Sequence, residues 1–380
     1  MTTRPPRTGR RVDPVHVVGL AATPFLPEHD AMLDELVFAA VSAALRECGL
    51  RKQDAGLSVQ ASMDVLDGRS ISSGLTAMAA GGYLADSYRI EGDSGLAIQA
   101  AAHAVAAGDV EVAIAVGVHN PETRSSDPVL RRAFAEQISN LGFEPHADRP
   151  VGLTAEVVYA LHAASSAANG GPDTGVLAEI AAAEITQGAG RPRSARREPV
   201  TAAEVLGSEP VAWPLHDLML PAHTTGAVAV VLASPARAGR CLGRSAVLTG
   251  FGHATGRYTW DTEWLTAPAT TTSRAAELAF AAAGADPADV GYAEVSAPTP
   301  ALLGGYLDAL GLRGLAGKDV NASGGLRSAF PGLANGALRL LETVEELEYR
   351  GRGSTAVSHS VDTETGLVSE DVTVLIVEAA

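Results

Sequence analysis

Histidine is the side chain best suited to move a proton near neutral pH, and three of the ten histidines are candidates here. His119 ends the run VEVAIAVGV, and His223 precedes TTGAVAVVLAS. His359 lies between Ser358 and Ser360, after the run STAV. Each histidine is therefore a candidate general base in a pocket, and a structural role is the alternative for each.

A second group of candidates lies at the start of SGLAIQAAAHAVAAG, where Asp93 and Ser94 precede a predicted helix of small residues. Asp93 would act as an acid or base, and Ser94 would act as a nucleophile if a base lay nearby. The alternative is that Asp93 or Ser94 caps the helix, because both residue types accept hydrogen bonds from the first N–H groups of a helix.

The glycine-rich turn NASGGLRSAFPG leads into a long predicted helix. Asn321 at its start could orient a water or a carbonyl group, although Asn is also common in turns for conformational reasons. The centre of the turn, SAFPG, carries no side chain that transfers a proton. The turn therefore has the backbone of an active-site corner without the corresponding proton chemistry.

Composition excludes several classes of function. The net charge of −16 argues against a nucleic-acid partner. The only cysteines, Cys48 and Cys241, rule out a disulfide framework and a cysteine-based metal cluster, and they indicate a cytoplasmic location. No apolar run reaches the roughly 18 residues of a membrane span. We expect no metal and no cofactor, and we expect the basic stretch RPRSARR to be a solvated loop.

The hydrophobic pattern predicts alternating strands and helices. Strands are predicted at 16–25, 58–66, 110–118, 225–234, 245–254, 290–297, 354–361 and 371–379. Helices are predicted at 31–50, 153–168, 175–188, 272–283 and 299–310. The order of elements repeats once, which predicts a duplicated α/β fold with buried central helices.

This repeat suggests a division of the chain. Residues 1–13 form a flexible tail, residues 14–120 and 210–236 form the first half, and residues 237–380 form the second half. Residues 121–209 form an excursion from the core.

Five segments in a fixed order resemble the thiolase superfamily, and most closely its lipid-transfer or sterol-carrier type of acyl-CoA thiolase. They are DSGLAIQAA, GDVEVAIAVGV, VGLTAEVVYAL, TTGAVAVVLAS and NASGG followed by PGLANGALRLLE. The resemblance covers residues 14–380. It implies the thiolase fold, in which duplicated βαβαβαββ halves form a five-layer αβαβα sandwich.

The resemblance also implies where a thiolase would keep its cysteine nucleophile and two histidines. The Cys-x-Ser-Gly motif reads GDSGL here, with Gly92 or, after a shift of one, Asp93 in the cysteine's place. Ser296 stands where the first histidine is expected, and Phe330 replaces the histidine of Gly-His-Pro. Three changes together argue against condensation and thiolysis.

In the family, the last active-site loop begins near His359, so His359 ranks first among the histidines as a catalytic candidate. The excursion is where thiolases hold the nucleotide of coenzyme A. Its arginines are therefore the candidates for binding a CoA thioester: Arg124, Arg131, Arg132 and Arg149.

Three functions remain open. The first is a degenerate, non-condensing subunit that forms a homodimer or pairs with a catalytic thiolase-like subunit, with a zinc-ribbon/OB-fold protein as a further partner. The second is a retro-aldolase or acyltransferase that uses His359 with Asp93 or Ser94. The third is a protein that binds acyl-CoA or an acyl chain without reaction.

Overall fold

A computed structural model describes residues 13–68, 71–82, 85–121, 127, 129–130, 133, 143–244, 246–256, 262–362 and 371–380. Its strands are rich in Val, Ile, Leu and Ala and are mostly buried on both faces, as strands covered by helices on both sides must be. The strands are β1 Val15–Ala22, β2 Leu57–Ala61, β3 Asp86–Ile90, β4 Val112–His119, β5 Pro210–Ala212, β6 Leu215–His216, β7 Gly226–Ala233, β8 Ala246–Thr255, β9 Val290–Val295, β10 Thr355–Asp362 and β11 Asp371–Ala379.

The helices begin and end largely where the hydrophobic pattern predicts. They are α1 Leu33–Cys48, α2 Asp64–Asp67, α3 Ser72–Thr76, α4 Ser94–Ala106, α5 Ala155–Ala168, α6 Thr174–Gly188, α7 Ala202–Gly207, α8 Pro235–Ala238, α9 Thr262–Thr266, α10 Thr270–Ala283, α11 Pro300–Ala309, α12 Gly325–Ser328 and α13 Asn335–Arg350. Several short elements were not predicted, because their few apolar residues show no clear period. They are α2, α3, α7, α8, α9, α12, β3 and the β5–β6 hairpin.

The strand order of the sheet is mirrored about its centre, as expected for a duplicated fold. Nine strands run β3-β2-β4-β7-β1-β8-β11-β10-β9, and the halves meet where β1 pairs with β8 over Val15–Val17. In each half the second strand lies parallel to the strand that follows the central helix, β2 to β4 and β9 to β10. In the second half, the element equivalent to β3 is reduced to a single parallel bridge between Val320 and Ala293 of β9. Both halves therefore follow the βαβαβαββ order.

Helices form three layers around the two half-sheets. The central helices α4 and α13 contact each other and strands of both halves. Helix α1 covers the outer face of the first half-sheet, and α10 and α11 cover that of the second. The predicted five-layer arrangement is confirmed. The small residues of α4 suit this central position, because they let both half-sheets approach it closely.

The stretch RPRSARR is a loop that is solvated only in part, so the expectation of a solvated loop was wrong for Arg193 and Arg196. Arg193 donates to Glu342 at 2.6 Å and to Glu345, both on α13. Arg196 is largely buried and donates to main-chain carbonyl groups of Leu218, Leu220 and Arg327. Composition alone could not show this, because the acidic partners lie about 150 residues away. The stretch instead fastens the excursion to the second half.

Candidate functional site

The candidate site lies where the two central helices begin. Asp93 is the N-cap of α4, and its Oδ2 accepts a hydrogen bond from Gly95 N at 2.7 Å. Its Oδ1 accepts another from Gly336 N, in the first turn of α13, at 2.9 Å. One carboxyl group therefore caps a helix from each half.

Ser94 completes this junction. Its Oγ accepts a hydrogen bond from Ala337 N at 2.8 Å, and the side chain is fully buried. Helix α13 has no side-chain cap of its own, so Asp93 and Ser94 supply partners for two of its first N–H groups. On the other side, Asp362 at the end of β10 accepts a hydrogen bond from Asp93 N at 3.1 Å.

Burial raises the pKa of Asp93 to about 6. Hydrogen bonds from Gly95, Gly336 and Ser360, together with the charge of Arg339, oppose this rise. The carboxyl group is therefore mainly ionised at pH 7.5 and titrates just below neutrality, which is a useful range for an acid or base.

The second part of the site is the pair Ser296 and Asn335. Asn335 Nδ2 donates to Ser296 Oγ at 2.8 Å, and both side chains are fully buried. Among the residues that the structure describes, Asn335 Oδ1 has no hydrogen-bond partner. This corner therefore offers neutral hydroxyl and amide groups.

The third part is formed by Phe330, His223 and His119. The Phe330 ring is buried and meets the His223 ring edge-on, with centroids 5.2 Å apart. His119 is buried against Gly332, where a Cβ would clash with its ring. Burial, assisted by His223, lowers the pKa of His119 to about 3, so its imidazole is neutral at pH 7.

His359 does not join this site, which corrects its grouping with Asp93 and Ser94. Residues of a strand alternate between faces, and His359 lies on the face of Val357 and Val361, towards α10 and α11. Its Nε2 lies 3.1 Å from Thr272 Oγ1, and its ring packs against Tyr306. Burial lowers the pKa of His359 to about 3.

The neighbours of His359 face the other way. Ser358 and Ser360 share the inner face of β10 with Ala356, and both are buried. Ser360 hydrogen-bonds the Asp93 carboxyl group, so it does belong to the site. The sequence indicated the correct strand, but the face of that strand that lies against the candidate site is the face of the serines.

Solved structures cover nearly the whole chain. An aldolase described as Ltp2-ChsH2(DUF35) matches with a TM-score of 0.74 and 21% identity over 96% of this chain and 97% of its own. A monomeric SCP2-thiolase like protein type 1 from Mycobacterium smegmatis matches with a TM-score of 0.74 and 19% identity over 96% and 77%. Human mitochondrial 3-ketoacyl-CoA thiolase gives 0.73 and 17% over 97% and 99%.

The chain has the thiolase fold. No family model and no curated protein sequence matches it. The similarity to solved structures therefore concerns the architecture, and the chemistry must be argued from the side chains.

In this thiolase fold, the glycine at the predicted nucleophile position is closely packed, and a side chain there would require the Asp362 carboxylate to shift slightly. A Cβ on Gly92 would meet Asp362 Oδ2 at 3.2 Å and Ile90 Cγ2 at 3.8 Å. Neither cysteine approaches this place: Cys48 ends α1 on the outer face, and burial raises the pKa of its thiol to about 11. The assignment of Gly92 to the nucleophile position stays a prediction.

Asn321 is committed to the turn itself. Its Oδ1 accepts from Val295 N at 2.6 Å, and its Nδ2 donates to Glu184 at 2.7 Å and to Val295 O at 3.1 Å. Its φ of +48° is one that non-glycine residues seldom adopt. To orient a ligand as predicted, the Asn321 side chain would have to compete for groups that already make these three hydrogen bonds within the protein.

Two buried ion pairs hold the rest of this turn. Arg327 pairs with Glu184 at 3.0 Å, and Arg339 pairs with Glu294 at 2.9 Å. Ser323 Oγ also donates to Glu294, at 2.8 Å. These buried charged groups thus fix the backbone of the turn that leads to Phe330.

Of the four predicted CoA-binding arginines, only Arg149 lies within the described residues. Arg124, Arg131 and Arg132 lie outside the described residues. The Nε of Arg149 donates to Phe143 O at 2.8 Å. Their role in binding CoA remains a prediction. Within the described ranges, no three His, Cys, Asp or Glu side chains gather closely enough to hold a metal ion.

Sequence reasoning missed three polar residues of the inner face: Asp362, His253 and Asp371. His253 Nε2 lies 3.0 Å from Asp371 Oδ1, and Asp371 stands directly opposite Asp362 on the paired strands. Hydrogen bonds from His253 and Thr255 lower the pKa of Asp371 although burial opposes this. The sequence did contain a signal for these three residues, because each is polar and lies near the end of an apolar strand.

Proposed function

We propose that this chain is a non-condensing thiolase-fold subunit that acts with a partner on acyl-CoA-type thioesters. The main support for the proposal is that the chain's own side chains occupy the N-terminal ends of the central helices α4 and α13. The N–H groups of Gly95, Gly336 and Ala337 are bonded to Asp93 and Ser94.

The three positions predicted for chemistry support the same conclusion. Gly92 has no side chain, Ser296 is held by Asn335, and Phe330 is an apolar ring. A thiolase needs a thiolate that takes the acyl group and bases that move two protons. None of these three residues supplies a thiolate or an imidazole.

A partner is supported by the surface around the edge strand β3. We call the exposed residues Val65, Ile71, Leu75, Met78 and Tyr88 the β3 face. Arg89 of β3 binds Asp64 of α2, which ties this strand to the helical segment. An edge strand beside exposed apolar side chains is typical of an interaction surface. A second copy, a catalytic thiolase-like subunit and a zinc-ribbon/OB-fold protein are the proposed partners.

The test is an assay of the purified chain with acetoacetyl-CoA and CoA, and of acetyl-CoA condensation. We expect no turnover by the chain alone, and turnover when a catalytic thiolase-fold subunit from the same organism is co-purified with it. Thiolysis or condensation by the isolated chain would overturn the proposal. Binding of acyl-CoA with no turnover in either preparation would favour the acyl-CoA-binding alternative.

A second candidate function is retro-aldol cleavage or acyl transfer without a cysteine. It is favoured by Asp93, whose carboxyl group titrates near pH 6, on the same inner side as the neutral imidazole of His119. His359 has no part in this version, because the sheet separates it from Asp93. An Asp93→Asn variant that keeps full turnover of a β-hydroxyacyl-CoA would exclude it.

A further inference from the structure

The only two cysteines of the chain lie far apart in the sequence but meet on the outer face of the first half. Cys48 is the last residue of α1, and Cys241 lies in the segment 239–244, between α8 and β8. Leu242 N donates a hydrogen bond to Cys48 O at 3.2 Å. A Cβ on Gly243 would lie 3.3 Å from Cys48 Cα, so the backbone of this segment runs directly against the end of α1.

This backbone contact limits the distance between the two cysteines. An amide N lies about 2.4 Å from the Cα of the preceding residue, and a carbonyl O lies about 2.4 Å from its own Cα. With the 3.2 Å hydrogen bond between Leu242 N and Cys48 O, the Cα atoms of Cys48 and Cys241 are less than about 8 Å apart. Disulfides join Cα atoms that are usually about 4.4–6.8 Å apart. The main chain therefore places the two cysteines at, or within about 1 Å of, a separation that a disulfide spans.

Charged groups hold the segment 239–244 in this position. Arg244 Nε donates to Glu47, the neighbour of Cys48 in α1, at 2.8 Å. Its Nη1 donates to Glu348 of α13 at 2.9 Å. The segment is thus fastened to two helices, and Cys241 is kept next to Cys48 in the folded chain.

Each thiol makes only a weak contact that a side-chain rotation would release. Cys48 Sγ donates to Ala44 O at 3.3 Å, and Cys241 Sγ donates to Arg237 O at 3.5 Å. Both acceptors lie in the preceding turn of the same segment, and S–H is a weak donor. The two thiols are also close enough to interact electrostatically. No strong bond therefore holds either thiol away from the other.

The surroundings give the two thiols different roles. Cys48 is buried, whereas Cys241 is partly exposed. Burial raises the pKa of Cys48 to about 11 and also raises the pKa of Cys241, although the charge of Arg237 opposes the rise at Cys241. An oxidant from solution thus reacts first with Cys241, because exposure and thiolate character both favour that thiol.

We infer that Cys48 and Cys241 are a redox-active pair that hydrogen peroxide converts into a reversible disulfide. Cys241 Sγ attacks a peroxide oxygen, the O–O bond breaks, and Cys241 becomes a sulfenic acid while water leaves. Cys48 Sγ then attacks the oxidised sulfur, the S–S bond forms, and the S–O bond breaks to release a second water. The two thiols lose two electrons and two protons in total, and the peroxide takes up both.

The disulfide is a single reversible cross-link and not the permanent framework that two cysteines exclude. It joins α1 to the segment 239–244 on the outer face, whereas the candidate site lies at the start of the two central helices. The inference therefore goes beyond the proposed function and does not depend on it.

The test treats reduced, folded wild type with hydrogen peroxide, removes the excess with catalase, alkylates the remaining thiols and identifies the products by mass spectrometry without reduction. We expect both thiols to be lost together and the intact mass to fall by two hydrogen atoms. Proteolysis should yield a peptide pair joined through Cys48 and Cys241, and non-reducing gel electrophoresis should show no cross-link between chains. Dithiothreitol should restore both thiols.

Cys48→Ala and Cys241→Ser are the matched variants. In Cys48→Ala the sulfenic acid on Cys241 has no thiol to attack it, so dimedone should label this variant and not wild type. In Cys241→Ser the buried Cys48 should remain a free thiol after the same treatment.

Oxidation of wild-type Cys241 to a sulfinic or sulfonic acid, with Cys48 still a free thiol, would overturn the inference. A disulfide between two chains, or two unreacted thiols after the treatment, would also contradict it. These outcomes are read from wild type, so they hold even if a variant does not fold. No acyl-CoA is involved, so the result is separate from that of the activity assays.

Discussion

At the scale of single residues, His359 shows how burial changes what a histidine can do. It is fully buried, its Nε2 pairs with Thr272 Oγ1, and its lowered pKa keeps it neutral near pH 7. The neutral, buried ring of His359 therefore stabilises the folded state fully above pH 6.5, the approximate pKa of histidine in the unfolded chain. This stabilisation is lost as the pH falls towards the folded-state pKa of about 3.

We therefore expect wild type to lose about 2 kcal/mol of unfolding free energy relative to His359→Gln between pH 7.5 and pH 5. Glutamine stays neutral over this range, so the variant lacks the linked protonation. Urea denaturation at both pH values measures the difference. The exposed His146→Gln serves as the control and should track wild type. Parallel pH dependence of His359→Gln and wild type would contradict the expectation.

Asn321 combines a rare backbone conformation with three side-chain bonds, and the two contributions can be separated. Asn321→Gly keeps the positive φ but leaves Val295 N without its partner, so we expect a loss of about 2 kcal/mol or more. Asn321→Ala should lose about 1 kcal/mol beyond that, because alanine is strained at positive φ. Chemical denaturation of both variants tests the order, and an alanine variant as stable as the glycine variant would disprove it.

At the scale of elements, the stretch RPRSARR joins the excursion to the central helix α13. Arg193 is mostly buried and bonded to Glu342 and Glu345. Arg197 is more exposed and donates to the carbonyl groups of Arg191 and Pro192 in its own loop. The two arginines have the same chemistry in different surroundings, which makes them a matched pair for mutation.

Arg193→Ala should lower the unfolding free energy by about 1–3 kcal/mol, since it leaves the nearly buried Glu342 without its ion pair. Arg197→Ala should change it by less than about 0.5 kcal/mol. Equal effects of the two substitutions, measured by guanidinium denaturation, would show that the contact with α13 contributes nothing.

At the scale of the whole molecule, the β3 face is the surface that we propose for a partner. Ile71 is 72% exposed and Met78 is 64% exposed, beside a strand at the edge of the sheet. No helix within the described ranges is long and apolar enough to cross a membrane.

The paired substitutions Ile71→Asp and Leu75→Asp should therefore abolish association of the chain with itself or with a co-expressed thiolase-fold subunit. Size-exclusion chromatography with light scattering would show the lower mass. Leu242→Asp is the control, because Leu242 is 74% exposed, lies beside Gly49 at the C-terminal end of α1 and is not part of the β3 face, so it should leave association intact. If the paired variant associates as wild type does, the β3 face is not the interface.

Much of the architecture could be predicted from local patterns. The apolar runs of β4, β7 and β11 and the glycine that ends α1 mark their elements within a few residues. The prediction that Gly92, Ser296 and Phe330 replace reactive residues also comes from the sequence, because it rests on residue type and motif order. These features depend on neighbours in the chain, whose physical preferences act locally.

The tertiary structure alone decided which polar groups meet. Asp93 reaches Gly336 across 243 positions, Arg193 reaches Glu342 across 149, and β10 directs Ser360 inward while His359 faces outward. Strand facing follows from the register of the paired strands, and helix-end contacts follow from how the halves pack. Both depend on how segments that are far apart in the sequence pack together, so they cannot be predicted from the sequence around each residue.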